Sequence, residues 1–119
     1  MILSSIFLFS LAASLGLFLV VLGVHYHRSS LKIGLSHASI GLLAFALLIV
    51  QIVNGSINKY NNVAALFMVL ALTGGLMLFA LREHNKPPPM VLVAIHAIMA
   101  LVGLVVLFIG FDYAKNLQG

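Results

Sequence analysis

The chain has no cysteine and no tryptophan, and only two of its 119 residues are acidic, Glu83 and Asp112. Without cysteine there are neither disulfides nor thiolate metal sites. Two carboxylates, one expected at each face of a membrane, make neither a general acid/base pair nor a cage for a hard cation. No glycine-rich phosphate loop follows a strand, and no Ser-His-Asp set is available. Charged residues make up 7% of the chain, too little to solvate the surface of a globular domain.

Apolar sequence fills the space instead, with 63% hydrophobic residues and a mean hydropathy of +1.22. Four apolar runs, at roughly residues 4–25, 32–53, 62–82 and 89–111, reach the length of about 20 residues that a helix needs to cross the hydrocarbon core. In lipid only helices and closed barrels satisfy the backbone, and continuous rather than alternating apolar runs select helices. The expected fold is therefore an all-α membrane protein, a four-transmembrane-helix up-down bundle. The first run lacks a basic start and ends in His25-Tyr26-His27-Arg28 rather than a small-residue cleavage site, so it reads as a retained helix. Asn54 to Asn62 reads as a polar outer turn, and Pro87-Pro88-Pro89 as a stiff entry to the fourth span.

The chain also repeats itself. Shifted by 59 positions, residues 11–50 align with 70–109 without a gap, and eleven of the forty pairs are identical. Leucine matches prove little in so leucine-rich a chain. The pairs His25/His84, His37/His96 and Gly16/Gly75 carry more weight. Two tandem helical hairpins follow, about 4–53 and 62–112, both pointing the same way. Together they form one transmembrane domain, with the second and fourth spans diagonal and parallel across the core.

Arg28, Lys32, Arg82 and Lys86 flank the two tight connections, whereas Lys59 and Lys115 lie on the opposite side. The positive-inside rule then puts the tight connections in the cytoplasm and both termini outward, in a prokaryotic inner membrane. The pI near 9.9 comes from these few bases and the scarcity of acids; no nucleic-acid partner is needed to explain it.

His37 and His96 fall inside the second and fourth spans at one expected depth near the cytoplasmic face. Intramembrane ionisable residues are costly and point by default to a functional site. Gly34, Gly41 and Ala44 accompany His37 at helical spacing, and Val93, Ala100 and Gly103 accompany His96. Small neighbours leave room for a flat macrocycle, and two opposed imidazoles are the axial set of a six-coordinate haem b. Arg28, Lys32, Arg82 and Lys86 then lie where haem propionates emerge. The blander alternative is a hydrogen bond from each imidazole to a backbone carbonyl or to a serine such as Ser36 or Ser39. His25 and His84 end the first and third spans; they read either as wet polar ends or as further ligands. Ala12-x-x-x-Gly16 and Ala71-x-x-x-Gly75 read as helix-packing seams, which would also suit a homodimer. Met68, Met77 and Met99 read as packing rather than copper ligands.

Lys86-Pro87-Pro88-Pro89 followed by His96-Ala97-x-x-Ala100-x-x-Gly103 resembles a widespread type of small, uncharacterised bacterial four-helix membrane protein. The paired transmembrane histidines look like those of b561-type membrane cytochromes. That resemblance implies haem b, one or more, held between helices, and electron transfer. Such cytochromes often hold two haems at different depths, whereas this chain has intramembrane histidines at one depth. The expected exchange is therefore with a cytoplasmic-side donor, a membrane quinol or a partner subunit. Two other functions fit the same residues: a copper, zinc or nickel binding or transport protein using His37 and His96 with His25 and His84, and a small assembly subunit whose histidines only tie helices together.

Overall fold

The computed structural model describes residues 2–25, 31–55, 58–84 and 89–118. The chain is all-α: four helices, α1 (Ile2–His25), α2 (Leu31–Asn54), α3 (Lys59–Glu83) and α4 (Met90–Gln118), with no strand among the described residues. Each helix contains a segment of at least 21 residues long and apolar enough to cross a membrane.

Local chemistry sets the ends. Asn58 caps α3, its Oδ1 accepting from the Tyr60 N–H at 2.9 Å. The helix therefore starts at Lys59, and Lys59 to Asn62, read as turn because they are polar, form its first turn. At the other end the His84 N–H donates to the Ala80 carbonyl at 3.2 Å. Pro89 stands just before α4 and its carbonyl accepts from the Val93 N–H at 3.1 Å, a place where a missing proline N–H costs nothing. After α2, the Gly55 N–H donates to the Gln51 carbonyl at 2.7 Å, and a Cβ on Gly55 would lie 2.6 Å from that oxygen. Only glycine fits there. The fourth helix runs past the expected end at 111 to Gln118, carrying Lys115 in its last turn.

The chain divides into two compact units, Met1–Ile57 and Asn58–Gly119, each a helical hairpin: α1 packs on α2 and α3 on α4. The expected repeats of 4–53 and 62–112 fall within these units. In the first, Ser5 meets Ala44 and Ala12 meets His37. Seven residues forward on α1 correspond to seven back on α2, so the pair is antiparallel and the register is two helical turns per step. The buried positions on α1 are Ser5, Ile6, Phe9 and Ala12, and on α2 Ala44 and Leu48. The counterparts 59 positions on of all but Ile6, namely Ala64, Met68, Ala71, Gly103 and Leu107, are buried in the second hairpin, together with Asn61, Gly74 and Gly110. The internal repeat is thus a repeat of packing at these five positions.

Outward faces are apolar too. Phe7, Leu17, Val53, Leu66, Leu76 and Val91 are each more than 60% exposed. Exposed apolar side chains on this scale suit contact with lipid tails. Because lipid is as apolar as leucine, the seams must be held by close packing and hydrogen bonds rather than by hydrophobic burial.

Candidate functional site

His37 and His96 are each six residues beyond the first residue of α2 and α4, about 9 Å along the axis at 1.5 Å per residue. Both rings are half-buried and turn into the seam of their own hairpin. Nδ1 of His37 donates to the Ala12 carbonyl at 2.6 Å, and Nδ1 of His96 donates to the Ala71 carbonyl at 2.6 Å. In both cases donor and acceptor are 25 residues apart in the chain. A carbonyl oxygen only accepts, which identifies Nδ1 as the protonated nitrogen and puts the lone pair of a neutral ring on Nε2.

The ring also lies against a glycine. A Cβ on Gly16 would be 2.9 Å from Cε1 of His37, and a Cβ on Gly75 would be 3.2 Å from Cε1 of His96. In the second hairpin Gly74 adds a further close approach, 3.3 Å from Cβ of His96. The two Ala-x-x-x-Gly stretches therefore do pack helices, but inside each hairpin, and what they receive is an imidazole.

The remaining candidates separate. Gly41 has nothing within 4 Å of the point where a Cβ would stand, so space adjoins α2 one turn beyond His37. Gly103 does the opposite: it is buried, with Met68 Cε at 3.0 Å and Phe67 Cβ at 3.2 Å from its Cβ position. Its smallness lets α3 and α4 approach, just as Ala44 does for α1 and α2. Gly34 and Ala100 are half-buried, on α2 and α4. Lys32 is exposed in the first turn of α2, and Arg82 is half-buried in the last turn of α3. His84 is exposed at the C-cap of α3. Arg28 and Lys86 lie outside the described residues, as does the side chain of His25. Among the described residues no group of three or more His, Cys, Asp or Glu comes together.

Several polar seam contacts were not anticipated. Fully buried Ser5 donates from Oγ to the Ala44 carbonyl at 2.8 Å. At the far end of the second hairpin Asn58 Nδ2 donates to the Gly110 carbonyl at 3.2 Å, and the Tyr60 and Tyr113 rings are tilted at 5.5 Å. Asn61 is buried there, and its Oδ1, without a hydrogen-bond partner among the described residues, lies 3.4 Å from where a Gly110 Cβ would be. The signal for the histidine contacts was in the sequence, since the separation of 25 recurs at both Ala–His pairs; nothing comparable marked Ser5 or Asn61.

No family model matches the chain, and neither a curated protein nor a solved structure does.

Proposed function

We propose that this chain is a membrane-embedded electron-transfer protein that binds haem b, with His37 and His96 as its two axial ligands. The observation that supports the reading is the repeated 2.6 Å bond from Nδ1 to a backbone carbonyl, at the same position in both hairpins. Metal-binding histidines commonly donate their other ring nitrogen to such a carbonyl, which fixes the tautomer, aims the ring and makes Nε2 more basic. Haem iron arrives with four macrocycle nitrogens and needs only two more donors, the number that His37 and His96 would supply. Bound there, haem would supply one-electron chemistry.

The protein's part is to hold two neutral imidazoles at a set depth. Lys32 and Arg82 on the same side as the histidines, with Arg28 and Lys86, are the proposed partners of the propionates. The proposed setting is a prokaryotic inner membrane with both termini outward, exchanging electrons with a quinol or a redox partner protein, as a monomer or a homodimer. Zinc, copper or nickel carriage is the alternative; such sites ask for three or four protein donors, which His25 and His84 would have to complete. A histidine proton relay is disfavoured by the same bond. A relay takes a proton in at one ring nitrogen and releases it at the other, and a carbonyl cannot pass it on.

The test is the visible spectrum of detergent-purified protein, oxidised and then dithionite-reduced. A sharp Soret band with resolved α and β bands on reduction is expected, and it should be lost in both His37→Ala and His96→Ala. A protein that stays colourless after haem supplementation overturns the proposal. A second reading then stands on the same bond: an assembly subunit whose imidazoles tie α2 to α1 and α4 to α3.

A further inference from the structure

In an α-helix each Cα–Cβ bond tilts toward the N-terminus, so the side chain at i+4 hangs beside the carbonyl of residue i. Gly16 is four residues after Ala12, and Gly75 is four after Ala71. At both places the missing Cβ opens the flank of the alanine carbonyl, and the imidazole edge occupies that opening. Cε1, the atom nearest each absent Cβ, is bonded to Nδ1, the atom that donates to the carbonyl. Ring position and proton position are therefore set by one feature.

We infer that Ala12-x-x-x-Gly16 and Ala71-x-x-x-Gly75 are two copies of an imidazole-docking motif that fixes His37 and His96 as Nε2 donors, with Gly16 and Gly75 as positioning residues. The ligand class that follows is a metal centre that takes neutral imidazole through Nε2, never through Nδ1. This deepens the haem reading and depends on it only for the identity of the centre.

A methyl group at Gly16 would lie 2.9 Å from the ring, closer than carbon atoms approach, and the ring can leave by rotating about its own side-chain bonds while the backbone stays. At Gly41 a methyl group meets nothing, which makes Gly41→Ala the matched control for an added methyl on an intramembrane helix.

The experiment is nitrogen NMR of the full-length, metal-free protein, labelled with 15N in its histidine rings and held in detergent micelles. Both His37 and His96 are expected to carry the proton on Nδ1. Gly16→Ala should change the ring signals of His37 and leave those of His96; Gly75→Ala should do the converse; Gly41→Ala should change neither. If the protein binds haem, Gly16→Ala and Gly75→Ala should each weaken it by about 10–100-fold, the usual cost of losing a partner that orients a ligand. A wild-type protein with Nε2 protonated in either ring overturns the inference, and so does a helical Gly16→Ala whose His37 signals are unchanged. Should Gly16→Ala fail to fold while Gly41→Ala folds, the wild-type ring assignment alone decides. A colourless protein with the expected tautomers and glycine responses retains the docking motif and removes haem.

Discussion

Replacing His96 with alanine separates the two roles that one imidazole can have here, because each role contributes a different free energy under different conditions. As a tie, the ring gives α3 and α4 one hydrogen bond at 2.6 Å. Such bonds between membrane helices contribute about 0.6 kcal/mol on average and up to about 1.7. The ring also fills space against Gly74 and Gly75. Truncating a fully buried large side chain to alanine costs about 2–5 kcal/mol, and a half-buried ring should lose about half of the lower figure. Metal-free His96→Ala is thus expected to be about 2 kcal/mol less stable than the wild type. As a ligand the ring contributes more. Haem supplied at about a hundredfold over its dissociation constant stabilises the folded state by about 2.7 kcal/mol, all of which the variant forfeits if coordination fails. The penalty measured with haem should then be about 4–5 kcal/mol, by the same linkage. Unfolding by dodecyl sulfate titration in mixed micelles, followed by far-UV circular dichroism with and without haem, reads both values. Equal penalties in the two conditions refute the ligand role. A metal-free penalty near zero refutes the tie, and with it the argument from the 2.6 Å bond.

Three further outcomes follow from the seams. Ser5→Ala should cost about 0.6–1.7 kcal/mol in the same titration, since it removes the bond to the Ala44 carbonyl and almost no volume; a loss as large as that of a core leucine would mean the hydroxyl is not what matters there. Leu48→Ala and Leu107→Ala, both fully buried, should each cost about 2–5 kcal/mol, whereas Val53→Ala, 73% exposed, should stay within about 0.5 kcal/mol of the wild type. Asn58→Ala removes the α3 cap together with the bond to the Gly110 carbonyl; a cost of about 1 kcal/mol is expected, with faster amide exchange over Lys59 to Asn61, and unchanged exchange there would contradict the cap.

The helices were legible in the sequence because a membrane span is specified by length and apolarity alone, and the repeat was legible because Gly16/Gly75 and His37/His96 recur at one offset. The seams were not. When a helix is apolar on every side, no polar face marks the one that packs, so Phe9 and Leu48 point inward and Phe7 and Leu43 outward without a compositional difference between them. Small residues were a partial guide. They located Ala12 and Gly16 as contact positions, but the expectation grouped Gly103 with Gly41 as room beside a ligand, and packing against Met68 and Phe67 assigns it to the hairpin interior. The polar turn was drawn too long for a related reason: Asn61 is polar by type yet buried, because one turn after a capped start its side chain faces Gly110 rather than water.

What the two hairpins share, and what they do not, bears on the function more directly than either does alone. At the histidine end the alanine, the glycine and the imidazole are all identical between repeats, and the two hydrogen bonds have the same length. Two turns away the seam diverges: Ser5 bonds a carbonyl where Ala64 has no hydroxyl, and Phe9 stands where Met68 does. At the far end Gly110 receives Asn58 and Asn61, while its counterpart, Gln51, lies beside Gly55. Antiparallel packing needs small inward residues, and many combinations supply them, as these divergent ends do. A requirement for stability alone would let the histidine end vary in the same way, since any polar side chain able to reach a carbonyl would tie two helices. Both hairpins instead use histidine, with the same nitrogen donating and a glycine beneath the ring. The proposed ligand role, in which Nδ1 is held by a carbonyl and the ring binds through Nε2, would require that choice.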